Sequence, residues 1–111
     1  MPLIPILNQH SGPLPVSAQF KSPTDAGASI EVSGSVRSTG APTLIGFQVL
    51  IDGKVVGQSN IWSNGDDIHR ATVPVIVSTP QDFNPHTLTL QPLNTHSIGD
   101  VNDYFTAKLI Y

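Results

Sequence analysis

Through most of the chain apolar and polar residues alternate with a period of two, the repeat of a strand with one face in a core. Val16, Ala18 and Phe20 share one face of residues 15–22, and Ile30, Val32, Gly34 and Val36 share one face of residues 28–38. Ile45, Phe47, Val49 and Ile51 are in phase across residues 43–51. Residues 54–61 follow directly after Asp52-Gly53, a pair that supplies the positive backbone dihedrals of a type I′ turn, so a hairpin is predicted here. Beyond the polar loop Ser63-Asn64-Gly65-Asp66-Asp67, residues 68–77 place Ala71, Val73, Val75 and Val77 on one side. Pro74 in that run marks an edge strand or a bulge, because it cannot donate to a ladder. Leu88 and Leu90 are in phase in residues 86–91. Residues 104–111 are apolar on both faces, which predicts a strand that is central or pressed against another subunit.

No 3.6-residue apolar period survives for three turns among the ten prolines and nine glycines, so no helix is predicted. Short strands separated by turn signals point to a sandwich or barrel. With 111 residues the chain is expected to form one domain, all-β, a single β-sandwich of about eight antiparallel strands. The expected core is Phe20, Val32, Val36, Phe47, Val49, Val73, Val75, Leu88, Leu90 and Phe105. The apolar opening, residues 1–7, is broken by Pro2 and Pro5 and lacks a basic flank, so it reads as neither a signal peptide nor a membrane span. An edge strand is its first reading, and a contact with a neighbouring subunit its second.

Residues 97–111, SIGDVNDYFTAKLIY, run from a polar acidic loop into an aromatic-rich final strand. This segment resembles the ending of tumour-necrosis-factor-like and C1q-like jelly rolls, and of small bacterial lectins on that fold. The resemblance implies a jelly roll and a compact homotrimer with ligand sites in loops or between protomers. It transfers no binding residue, since the matching segment is a strand. An immunoglobulin-like sandwich would share the strand spacing, but its Cys…Trp…Cys signature is missing.

Charged residues make up only 12% of the chain, about half the usual share, while apolar residues make up 39%. The surface suits hydrogen bonding better than charge steering. The net charge is −3, and the cations Lys21, Arg37, Lys54, Arg70 and Lys108 are scattered, which argues against nucleic acid or an anionic membrane as partner. Without cysteine, disulfides, zinc thiolate sites and thiol catalysis are excluded, and the compartment stays open.

Asn60, Trp62, Asn64, Asp66, Asp67, His69 and Arg70 gather the only tryptophan with several planar hydrogen-bonding groups. An aromatic ring against the apolar face of a sugar, with amide, carboxylate and guanidinium groups on its hydroxyls, is the chemistry of carbohydrate recognition. The competing reading packs Trp62 into the core. Asp100, Asn102 and Asp103 offer oxygen ligands for calcium but lack the glycine and final glutamate of an EF-hand loop, so Asx turns are the preferred reading. His10, His69, His86 and His96 are far apart in sequence and are expected to be isolated surface residues, with no metal site. No Gly-x-Ser-x-Gly elbow is present, and glycoside hydrolysis would have to draw on Asp66 or Asp67 with Asp100, Glu31 being the only glutamate. These features point to a non-enzymatic, cofactor-free carbohydrate-binding or adhesive module acting as a homo-oligomer, with a trimer favoured. The alternative is a structural domain such as a viral or phage capsid, spike or tail component.

Overall fold

The computed structural model describes residues 3–24 and 26–111 and places them in ten strands, every pair antiparallel, with no helix among them. The strands are β1 (Leu3–Ser11), β2 (Val16–Phe20), β3 (Ser29–Ser38), β4 (Thr43–Ile51), β5 (Lys54–Ser63), β6 (His69–Ala71), β7 (Val75–Ser78), β8 (His86–Pro92), β9 (Ser97–Ile98) and β10 (Tyr104–Ile110). One sheet runs β1-β10-β3, with β7 and β6 following one another along one edge of β3 and β9 pairing with its last residues. The other sheet runs β2-β8-β4-β5. Setting aside the short β6 and β9, eight strands remain in the interlocked Greek-key order of a jelly roll. An immunoglobulin-like sandwich pairs consecutive strands in both sheets, whereas here only β4 and β5 are consecutive neighbours.

The two sheets meet on the residues whose alternation predicted them. Ile30, Val32 and Val36 face Ile45, Phe47, Val49, Leu88 and Leu90, and β10 contributes Phe105, Ala107 and Leu109. Phe47 and Phe105, one from each sheet, pack edge to face with ring centroids 5.4 Å apart at 89°. A Cβ at Gly34 would lie 2.4 Å from the Phe105 ring, so that position must stay bare for the pair to fit. The β4–β5 turn is the two-residue hairpin expected, with Asp52 at φ 53°, Gly53 at φ 82° and Ile51 opposite Lys54.

Val73 departs from the expected core: it is 58% exposed, and Val75 is only half buried. Residues 68–77 are two strands, because the chain turns toward the other sheet after Thr72. The Thr72 amide donates to the Gly34 carbonyl, and the Val73 amide to the Asn60 carbonyl of β5. The buried Thr72 hydroxyl meets Ser59 Oγ, and Pro74 cannot resume the pairing. The alternation therefore resets between Ala71 and Val75.

Strand β10 is central in its sheet, between β1 and β3, with one face in the core and the other half covered. The apolar arm is the edge strand β1: Leu7 is buried and Ile6 packs on the core, while Leu3 and Ile4 stay exposed. Met1 and Pro2 of the arm lie outside the described residues. No helix of the described chain is long and apolar enough to cross a membrane.

Candidate functional site

In β4, Ile45, Phe47 and Val49 point into the core, so Leu44, Gly46 and Gln48 point out. Their partners across β5 are Trp62, Asn60 and Gln58, and residues directly opposite one another share a face. Trp62 thus stands on the outer face of the four-stranded sheet, 55% exposed, and is not a core residue. Its indole Nε1 donates to Asn64 Oδ1 at 3.0 Å, which fixes the ring against the start of the loop. An exposed indole held in one orientation by a hydrogen bond is a preorganised stacking surface.

The seven residues grouped in the sequence divide between the two sheets. Asn60, Trp62 and Asn64 belong to this outer face. Asp66 accepts from the Ala41 amide at 2.7 Å and holds the β3–β4 loop. Asp67 is bonded to Arg37 on β3, and His69 lies on β6 opposite Arg37, both part of the other sheet. Arg70 is exposed and has no ion pair among the described residues.

His69 meets the second sequence cluster. Its Nδ1 is 2.8 Å from Oδ1 of the fully buried Asp103, which also accepts from Ser35 Oγ at 2.7 Å. Asp103 Oδ2 accepts from the Asp100 amide at 3.0 Å, and Asp100 Oδ1 from the Asn102 amide at 2.8 Å. The turn is therefore closed by its own carboxylates, as the Asx reading expected. His69, Asp100 and Asp103 offer ligand atoms within 4.8 Å of one another. However, Arg37 Nε sits 3.5 Å from Asp100 Oδ2 and already supplies positive charge, and both Asp103 oxygens are engaged. The arrangement fastens the β9–β10 loop and β6 onto β3. Nor is it a nucleophilic triad: Ser35 and His69 both bind the carboxylate, whereas a triad needs the imidazole between serine and acid.

Three of the four histidines have partners for their side chains, while His10 is an exposed residue of β1 as the sequence suggested. His96 Nδ1 donates to the Thr39 carbonyl at 2.8 Å. His86, with its side chain 11% exposed, lies between two carboxylates, Nδ1 2.5 Å from Asp52 and Nε2 2.8 Å from Asp82. Only the imidazolium donates to both. The bond to Asp52, then that to Asp82, raises the His86 pKa above its ordinary value. The Asp52 carboxyl is held low first by the Thr87 amide and then by His86, and Asp82 first by His86 and then by the Asn84 amide. The i, i+4 spacing of Asp82 and His86 was a visible signal; the reach of the Asp52 turn to the same ring depends on β4 pairing with β8.

Two open depressions of about 340 and 440 Å³ meet at Ser78 and Thr79, at the end of the sandwich where β3 begins. Asp52 lines the larger, beside Lys54, Val56 and Pro80; neither includes Trp62 or His69.

No protein-family model matches the chain, and no curated protein does. Among solved structures, part of the dimeric latent PorU from Porphyromonas gingivalis matches at TM-score 0.58 and 9% identity, over 97% of this chain and 12% of that one. A family 35 carbohydrate-binding module from Clostridium thermocellum matches over 96% of this chain and 86% of that one, at 8% identity and TM-score 0.49. An exo-β-1,3-galactanase from Phanerochaete chrysosporium with β-1,3-galactotriose matches over 98% of this chain and 23% of that one, at 14% identity and TM-score 0.45. At 9% identity the likeness to part of PorU speaks for the fold alone. The resemblance of residues 97–111 to tumour-necrosis-factor-like and C1q-like proteins accordingly reaches the jelly roll and no further.

Proposed function

We propose that this domain is a non-catalytic carbohydrate-binding module whose sugar-stacking residue is Trp62. The observation that carries the reading is the exposed indole, oriented by Asn64 and set on a sheet face beside Asn60. Stacking on the apolar face of a pyranose needs a flat aromatic surface free of side-chain cover, with amides near enough to reach the ring hydroxyls. The site is open and shallow, which suits binding a polymer from the side better than enclosing a substrate.

Trp62 is the only tryptophan, so its emission reports the site without interference. Titration with a panel of oligosaccharides is expected to quench or shift that emission saturably for at least one of them. Trp62→Ala, followed by calorimetry on the same sugar, should abolish binding while leaving the urea midpoint close to wild type. A panel with no binder, or a Trp62→Ala protein that binds as before, refutes the proposal.

Self-association is a second part of the proposal, favoured by Leu3 and Ile4, exposed on the edge strand β1 next to Ile110 and Tyr111. Light scattering should give a multiple of 11.8 kDa, a trimer by the likeness to jelly-roll trimers. The monomer mass refutes assembly, and a dimer refutes the trimer.

A further inference from the structure

The Trp62 face extends well beyond the indole, and its chemistry constrains the ligand. Outward positions on β5 continue from Trp62 through Asn60 to Gln58, about 13 Å along the strand. Gln58 lies opposite Gln48 of β4, and Gln48 lies opposite Gln91 of β8. Gln91 Nε2 donates to Gln48 Oε1 at 2.7 Å, so the two planar amides are joined across the strands. Between Leu44 and Gln48, Gly46 adds no side chain. A Cβ there would come 2.7 Å from Asn60 Cα, so the gap is built into the close approach of β4 and β5. The result is a flat strip more than one sugar ring long, with an indole at one end and three glutamine amides at the other.

This strip carries no charge. In β2, β8, β4 and β5 the only ionisable residues are Lys54 and His86. Both stand at the Asp52 end, with Lys54 about 13 Å along β5 from Gln58 at the near end of the strip and about 26 Å from Trp62, beyond the screening length of about 8 Å in physiological salt. The carboxylate of the loop after β5 that is not paired with a cation is Asp66, which would repel an anionic ligand.

Resting on the carbohydrate reading above, we propose that the ligand is an uncharged linear glycan, laid over the strip from Trp62 to the Gln58, Gln48 and Gln91 amides. The stacking end supplies affinity for a single ring, and the amides add hydroxyl contacts only to a chain long enough to reach them. Affinity therefore grows with chain length and does not depend on salt.

The test is calorimetry on the whole chain. The neutral probes are cello-, xylo-, manno- and β-1,3-gluco-oligosaccharides of increasing length, and oligogalacturonate is the acidic probe. A neutral hexaose should bind more tightly than its disaccharide, with Kd moving less than about twofold between low and high salt. Gln58→Ala and Gln48→Ala should each weaken the hexaose by about three- to tenfold and leave the disaccharide unchanged. Urea midpoints near wild type would show both variants folded. If Trp62→Ala abolishes sugar binding but oligogalacturonate is preferred, or the glutamine variants bind the hexaose normally, the strip is refuted and the Trp62 site stands. If no sugar binds, both fall. Backbone resonances of Gln48 and Gln58 that shift with protein concentration and not with sugar would instead give the face to a second copy of the chain, and that also overturns the proposal.

Discussion

Truncating Phe47 to alanine is expected to be among the most damaging single changes in this fold. The ring is fully buried and packs edge to face on Phe105, whose own ring lies against the bare Gly34. Loss of a core phenylalanine costs about 3–5 kcal/mol, including the cavity that the neighbours fail to fill. The share due to ring geometry is about 0.5–1.5 kcal/mol, which a double-mutant cycle with Phe47→Leu and Phe105→Leu would isolate. Domains of this kind are held by only about 5–15 kcal/mol, so Phe47→Ala removes a large fraction of the total.

Urea unfolding followed by far-ultraviolet circular dichroism is the assay, with the slope m checked for constancy so that a changed midpoint can be read as changed stability. The matching control is Val73→Ala. By sequence phase Val73 and Phe47 had equal claims to the core, but Val73 is mostly exposed, and its truncation should stay within about 0.5 kcal/mol of wild type. If Phe47→Ala costs less than about 1.5 kcal/mol, or Val73→Ala costs as much, then the two-sheet packing described above is wrong.

Three further outcomes are expected. Gly53→Val should lower stability by about 1 kcal/mol or more, read from the urea midpoint; nothing lies within 4 Å of a Cβ there, so the loss reports the positive φ alone. Asp103→Ala should cost about 1–3 kcal/mol, because Ser35, His69 and the Asp100 amide all lose their acceptor; an unchanged midpoint would show that the fastening of the β9–β10 loop is dispensable. The stabilisation from the His86 cluster should be complete between pH 3.8 and 6.5, the ordinary carboxylate and histidine values. It should fade as pH rises through the raised His86 pKa, and as pH falls through the lowered pKa values of Asp52 and Asp82. Melting curves of His86→Gln that keep the wild-type pH dependence would contradict this.

The fold was legible where a segment's period matched a single neighbour relation. Strands β2, β3, β4, β8 and β10 each keep one unbroken phase, and the Asp52-Gly53 turn has only one low-strain geometry, so local pattern sufficed. The pattern failed at residues 68–77, where the chain turns from β3 to β5 after Thr72, the Val73 amide bonding the Asn60 carbonyl, and Pro74 prevents the ladder from resuming. Alternation records which residues share a side. It does not record a change of the sheet to which the strand belongs.

The seven residues grouped from the sequence divide between the two sheets for the same reason. Nearness in sequence put Trp62 and His69 in one loop, but the loop between β5 and β6 is where the chain passes from one sheet of the jelly roll to the other. Residues on its two sides therefore serve different faces. What sequence distance hid, strand register supplies: Gln48, Gln58 and Gln91 are scattered over 44 positions, counted from 48 to 91, yet lie side by side across three strands. The proposed strip is assembled from outward positions on the consecutive strands β4 and β5 together with the sequence-remote β8. A recognition strip on such a face has no sequence motif, and the single exposed tryptophan is its only local sign.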